Sequence, residues 1–147
     1  MIEGVNLKPL KIHTDERGAV MHFINKDSPE FKGFGEVYFS SVNYGVVKGW
    51  KCHTEMHMNL VVISGQVKFV LAEEVTGASK MAFCEISLSK ENYQLLSIPP
   101  KIWLSFRGEC PDQTNIIANF ADIKHEPSES LTIPVGSPDI AYEWSTM

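Results

Sequence analysis

Short β-branched and aromatic runs recur along this chain about every 8–12 residues, each closed by glycine, proline or small polar residues. No stretch carries the 3.6-residue apolar period of an amphipathic helix. Residues 5–13, 19–25, 36–42, 59–63, 67–71, 81–88, 93–98, 102–107 and 115–121 are the expected strands. Pro99-Pro100 must end one of them, because a proline cannot donate to an internal ladder. The pattern predicts an all-β sandwich or barrel. The runs 59–63 and 67–71, separated by a turn at Ser64-Gly65, read as a β-hairpin. Residues 126–147 contain Pro127, Pro134 and Pro138 and are expected to form an irregular tail lying across the barrel or a neighbouring subunit.

At 147 residues the chain fits a single domain able to bury its own core. Its net charge of −5 comes from interspersed acids, with no basic run to follow a phosphate backbone, so nucleic acid is not an expected partner. Cys52, Cys84 and Cys110 are odd in number and widely spaced, which suits a reduced, cytoplasmic protein. No apolar run approaches membrane-spanning length, and the first residues carry neither a signal-peptide pattern nor a lipidation motif.

The chemistry-bearing groups concentrate in residues 48–71, KGWKCHTEMHMNLVVISGQVKFVL. If a strand is already running at Lys51, a period of two places Lys51, His53, Glu55, His57 and Asn59 on one polar face. Upstream, Glu36, Tyr38 and Ser40 share a face of their own strand. His22, among apolar neighbours, reads as a structural histidine.

Five motifs occur in a family's order: D-x-R-G at Asp15 to Gly18, G-V-V-K-G-W-K-C-H at Gly45 to His53, the run ending at Gly65, I-P-P at Ile98 to Pro100, and I-A-Y-E-W at Ile140 to Trp144. On these residues the chain resembles the dTDP-4-dehydrorhamnose 3,5-epimerases and their short relatives among the dTDP-sugar 3,4-ketoisomerases. The resemblance implies a cupin-type jelly-roll barrel, a homodimer, and a nucleotide-linked 4-keto-6-deoxy sugar as substrate in surface-polysaccharide biosynthesis; no cofactor is expected. The epimerase catalytic histidine corresponds to Lys51, and the second histidine of the ketoisomerase pattern corresponds to His53. Leu104 stands at a further family histidine, and Asn119 at the epimerases' tyrosine acid.

Isomerising a 4-keto sugar requires a base beside the ketone, stabilisation of the enolate oxygen and an acid that returns the proton. His53 is the candidate base and Lys51 the candidate enolate partner, with Tyr38 or His57 as the acid. Lys48, in place of a family arginine, and Arg17 are candidates for the diphosphate; Glu36 and Asn119 are further substrate-binding candidates. Two alternatives stay open: a catalytically silent nucleotide-sugar-binding cupin, and a metal-binding cupin using His53, Glu55 and His57.

Overall fold

The computed structural model describes residues 1–147 and contains twelve strands. They are β1 (Asn6–Pro9), β2 (Ile12–Asp15), β3 (Gly18–Met21), β4 (Glu36–Val42), β5 (Val47–His53), β6 (Met58–Ser64), β7 (Gln66–Glu74), β8 (Met81–Ser89), β9 (Gln94–Ile98), β10 (Trp103–Gly108), β11 (Asn115–Ala121) and β12 (Ser130–Thr132). Two antiparallel five-stranded sheets, β1-β9-β6-β11-β4 and β12-β5-β10-β7-β8, pack face to face as a jelly roll, and β2-β3 forms a separate hairpin. The space between the sheets holds the main core, with Phe69, Leu71, Leu88, Leu96 and Ile98 fully enclosed.

The hairpin expected at Ser64-Gly65 does not form. β6 pairs with β9 and β11, whereas β7 pairs with β8 and β10, so the turn carries the chain from one sheet to the other. Both runs are apolar on successive residues and are buried on both faces along most of their length, which is the pattern of layered strands with cover on each side. Gly65, at φ +70°, makes the corner, and a Cβ there would lie 2.4 Å from Asn115 Oδ1. That same oxygen accepts the Gln66 and Cys110 N–H groups at 2.9 and 3.1 Å, while Asn115 Nδ2 donates to Val42 and Cys110 carbonyls.

The polar face expected from Lys51 to Asn59 is also interrupted. β5 stops at His53, and residues 54–57 cross to β6 without ladder partners. Their backbone donors are instead met by acceptors from far along the chain: the Glu129 carbonyl accepts from Thr54 N–H at 2.8 Å, Glu129 Oε2 accepts from Glu55 and Met56 N–H, both at 3.0 Å, and Asp122 Oδ1 accepts from His57 N–H at 2.8 Å. Glu55 therefore faces solvent and Asn59 is buried away from Lys51 and His53.

Other boundaries move for similar reasons. The segment 5–13 divides into β1 and β2, which join different sheets, and β3 ends at Met21. His22 is exposed, edge-on to His13 at 5.2 Å between ring centroids, and is not a buried structural histidine. The tail is more regular than its prolines suggest: Pro127 and Pro138 open 3₁₀ turns, and β12 between them pairs with β5. Beyond β12 the tail does lie across the barrel, where Ile140, Tyr142 and Trp144 pack with Trp50 on the outer face of the second sheet.

Candidate functional site

Between the two sheets, on the side of β4, β5 and β11, a cavity of about 760 Å³ opens to solvent. Its polar groups follow from strand alternation. Trp50 points outward to the tail, so Lys51 and His53 point inward. Glu36, Tyr38 and Ser40 likewise line the cavity from β4, and Asn119 lines it from β11. Gly49 permits this arrangement because β10 passes so close that a Cβ would lie 2.8 Å from the Leu104 carbonyl oxygen and the Ser105 Cα. Leu104, opposite Lys51 in the ladder, gives that part of the wall an apolar surface.

His53 is 4% exposed, and its Nδ1 lies 2.6 Å from Glu129 Oε1. A carboxylate only accepts, so the proton of this bond sits on Nδ1 and leaves the Nε2 lone pair as the ring's basic site. Glu129 is fixed by five contacts on three of its atoms: the His53 ring, the Glu55 and Met56 N–H groups, and its own carbonyl, which accepts from Thr54 N–H at 2.8 Å and Thr54 Oγ1 at 2.7 Å. Burial acts to raise its carboxyl pKa, but the His53 hydrogen bond and the two backbone N–H groups outweigh it and hold Glu129 below the usual value. The carboxylate is thus ionised at neutral pH and sets both the tautomer and the orientation of His53.

A second pair faces the first from the other sheet. Asn119 Oδ1 accepts from Asn59 N–H at 3.2 Å, which fixes the amide so that Nδ2 donates to the Tyr38 hydroxyl oxygen at 2.9 Å. With its oxygen already accepting, Tyr38 has its own proton available toward the cavity. Burial, chiefly, raises the Tyr38 pKa against the lowering effect of Asn119, so the phenol remains protonated well above neutrality. Asn119, the position corresponding to the epimerases' tyrosine, thereby supports a tyrosine one strand away.

Lys51 is half-buried in the cavity wall, and Lys48 is an exposed member of its lining, with Nζ 2.6 Å from the Ser41 carbonyl oxygen. Two sequence candidates lie elsewhere. His57 sits outside the cavity against Asp122, its pKa lowered by burial despite the neighbouring carboxylate. Arg17 is at the tip of the β2-β3 hairpin, with its side chain 83% exposed and paired to Asp15 at 2.5 Å. His53, Glu55 and His57 point to separate surroundings, and no three His, Cys, Asp or Glu side chains converge as a metal group.

Glu129 escaped the sequence reading. It follows Pro127 in the tail, 76 positions from His53, and no spacing signal links them.

Known proteins resemble this chain in both sequence and fold. The family model described as "FdtA: WxcM-like, C-terminal" matches residues 3–132. A dTDP sugar isomerase from Desulfovibrio desulfuricans G20 superposes with a TM-score of 0.88 at 34% identity, over 97% of this chain and 91% of that one. The spore coat polysaccharide biosynthesis protein SpsL of Bacillus subtilis (strain 168) is 25% identical over 151 residues, covering 99% of this chain and 98% of its own. The dTDP-4-dehydrorhamnose 3,5-epimerase from Elizabethkingia anophelis NUHP1 shares the cupin-type jelly roll, with a TM-score of 0.78 at 17% identity over 99% of this chain and 83% of that one. With a match that runs from the first strand through β12 and so includes both His53 and Glu129, the chain belongs to the WxcM-like, C-terminal family, FdtA.

Proposed function

We propose that this protein is a nucleotide-sugar epimerase or ketoisomerase of polysaccharide biosynthesis, acting on a dTDP-linked 4-keto-6-deoxyhexose by proton abstraction beside the ketone. The observation that carries the reading is the buried His53–Glu129 pair, whose Nδ1–H is taken and whose Nε2 is the only ring nitrogen left for the cavity. In the reaction, Nε2 removes the proton from the carbon next to the carbonyl, and the bonding electrons move to the carbonyl oxygen as an enolate. Lys51 supplies positive charge to that oxygen, a stabilisation that exists only once the enolate forms. Tyr38 then gives its proton to carbon, and water restores both groups before the next turnover.

Tyr38 and His53 line the cavity from facing sheets, which supports a reading in which removal and return of the proton occur on opposite faces of the planar enolate. That inverts the carbon and favours the epimerase form of the reading. Glu36 and Asn119 are placed to contact sugar hydroxyls, and Lys48 the diphosphate. Arg17 serves the same diphosphate only if it comes from a second copy, which ties its role to a homodimer; its exposure on a projecting hairpin supports this. A cytoplasmic location fits the unpaired thiols.

The test is incubation in deuterated water with dTDP-4-keto-6-deoxyhexoses, followed by NMR. The wild-type protein should take up deuterium beside the ketone and form the inverted sugar. His53→Asn should slow both by roughly 10²–10⁴-fold, the contribution of a positioned general base. Measurable dTDP binding without deuterium uptake from any such sugar would instead identify a silent binding protein.

A further inference from the structure

The cavity has a second imidazole that the proton transfers above do not use. His125 is exposed and contributes to the cavity lining, in the segment between β11 and β12. That segment is held at both ends against residues 54–57. Asp122 N–H donates to the His57 carbonyl and its carboxylate accepts from His57 N–H, while the Glu129 carbonyl accepts from both Thr54 N–H and Thr54 Oγ1 at 2.8 and 2.7 Å. The neighbouring Glu126 carboxylate is engaged by Ser128 Oγ at 3.5 Å. His125 is therefore presented to the cavity from a span fixed at each end.

Resting on the nucleotide-sugar reading, the depth of the chemistry fixes which part of the ligand meets this histidine. His53 is almost fully buried, so the hexose carbon must pass inward to reach Nε2, and the diphosphate is left at the exposed rim. Two cavity-lining groups with nitrogen donors are exposed there: Lys48 on β5 of one sheet, and His125 on the segment that follows β11 of the other. We infer that His125 is a diphosphate-binding residue at the rim of the cavity. Lys48 acts as a point charge, and the imidazole adds a directional N–H donor that is available in either protonation state. Glu36, the carboxylate within the lining, lies on β4 and suits the hydroxyl-bearing sugar.

The experiment compares ligands that differ only in phosphate. Full-length wild type and His125→Ala are titrated with dTDP and with thymidine, by calorimetry for the first and by chemical-shift titration for the second. His125→Ala should weaken dTDP binding about tenfold, as expected for one lost hydrogen bond to a charged group, and leave thymidine binding unchanged. His125→Asn, which keeps an N–H donor, should recover most of the loss. Equal dTDP affinity in wild type and His125→Ala, or an equal loss for thymidine, overturns the assignment of His125 alone. A folded wild-type protein that does not bind dTDP overturns both this inference and the nucleotide-sugar reading.

Discussion

The two halves of the barrel interior are built from the same pleated strands but filled in opposite ways. Beneath β7, β8 and β9 the inward positions are Leu71, Ile86, Leu88 and Leu96, none more than 6% exposed. Beneath β4, β5 and β11 they are Glu36, Tyr38, Lys51, His53 and Asn119, around open space. A buried polar group without a partner costs about 1–3 kcal/mol, so the open half persists only where such groups are paired. The buried His53 pairs with Glu129, and the buried Asn119 with Tyr38, which meets that requirement. The filled half supplies burial of apolar surface, and the open half consumes part of that stability in holding His53 and Tyr38 in place.

The sharpest way to separate the halves is to damage the filled one. Leu71 is fully enclosed in the main core and does not line the cavity. Leu71→Ala should cost about 2–5 kcal/mol of unfolding free energy, measured by denaturant titration, while the molecules that remain folded keep their isomerase rate. A large fall in rate per folded molecule would mean that the two halves are mechanically coupled and that the division is false.

Damage to the open half should have the opposite signature. Tyr38→Phe keeps the ring and removes the proton donor, and should lower formation of the inverted sugar roughly 10²-fold, the lower end for loss of a positioned acid. Deuterium exchange should persist, because His53 can still remove and return a proton on its own face. The stability loss should be only about 1 kcal/mol, from the Asn119 donor left without its acceptor. Equal loss of exchange and inversion would place Tyr38 in enolate stabilisation rather than in proton return.

The filled half was legible in the sequence, and the open half only partly so. β7, β8 and β9 carry their character locally, as apolar runs between turn residues, and the sequence located all three. Lys51, His53, Glu36 and Tyr38 reach the cavity because a period of two was sufficient within β4 and β5. The reading failed where a distant acceptor replaces a ladder. Residues 54–57 leave the strand because Glu129 and Asp122 receive their N–H groups, and nothing in the local pattern announces a carboxylate arriving from the tail. The Gly65 corner failed for a related reason: an apolar run buried on both faces has the same composition whether its neighbour in sequence lies beside it or in the opposite sheet. A strand continuing to Asn59 would put His57 beside His53, but β5 ends four residues short of His57.

The smallest expected effect concerns the link that joins the tail to this site, and its sign is set by the direction of one pKa shift. The folded-state carboxyl of Glu129 is held below its ordinary value near 4.5, against burial, by His53 and two backbone donors. In the folded protein it therefore stays ionised at pH values where the unfolded chain has begun to bind a proton. Its contribution to stability is complete above about pH 4.5 and is lost as the pH falls through the depressed folded value. Glu129→Gln lacks that contribution at every pH. The difference in unfolding free energy between wild type and Glu129→Gln should be about 1.5 kcal/mol at neutral pH, the lower end for a hydrogen bond to a charged group, and should shrink on acidification below pH 4.5. Taking the difference cancels the other carboxylates, which titrate alike in both proteins. A gap that stays constant from neutral pH through the acid limb would mean that the charge on Glu129 does not hold the tail to the 54–57 segment, and that the pairing of β12 with β5 does so alone.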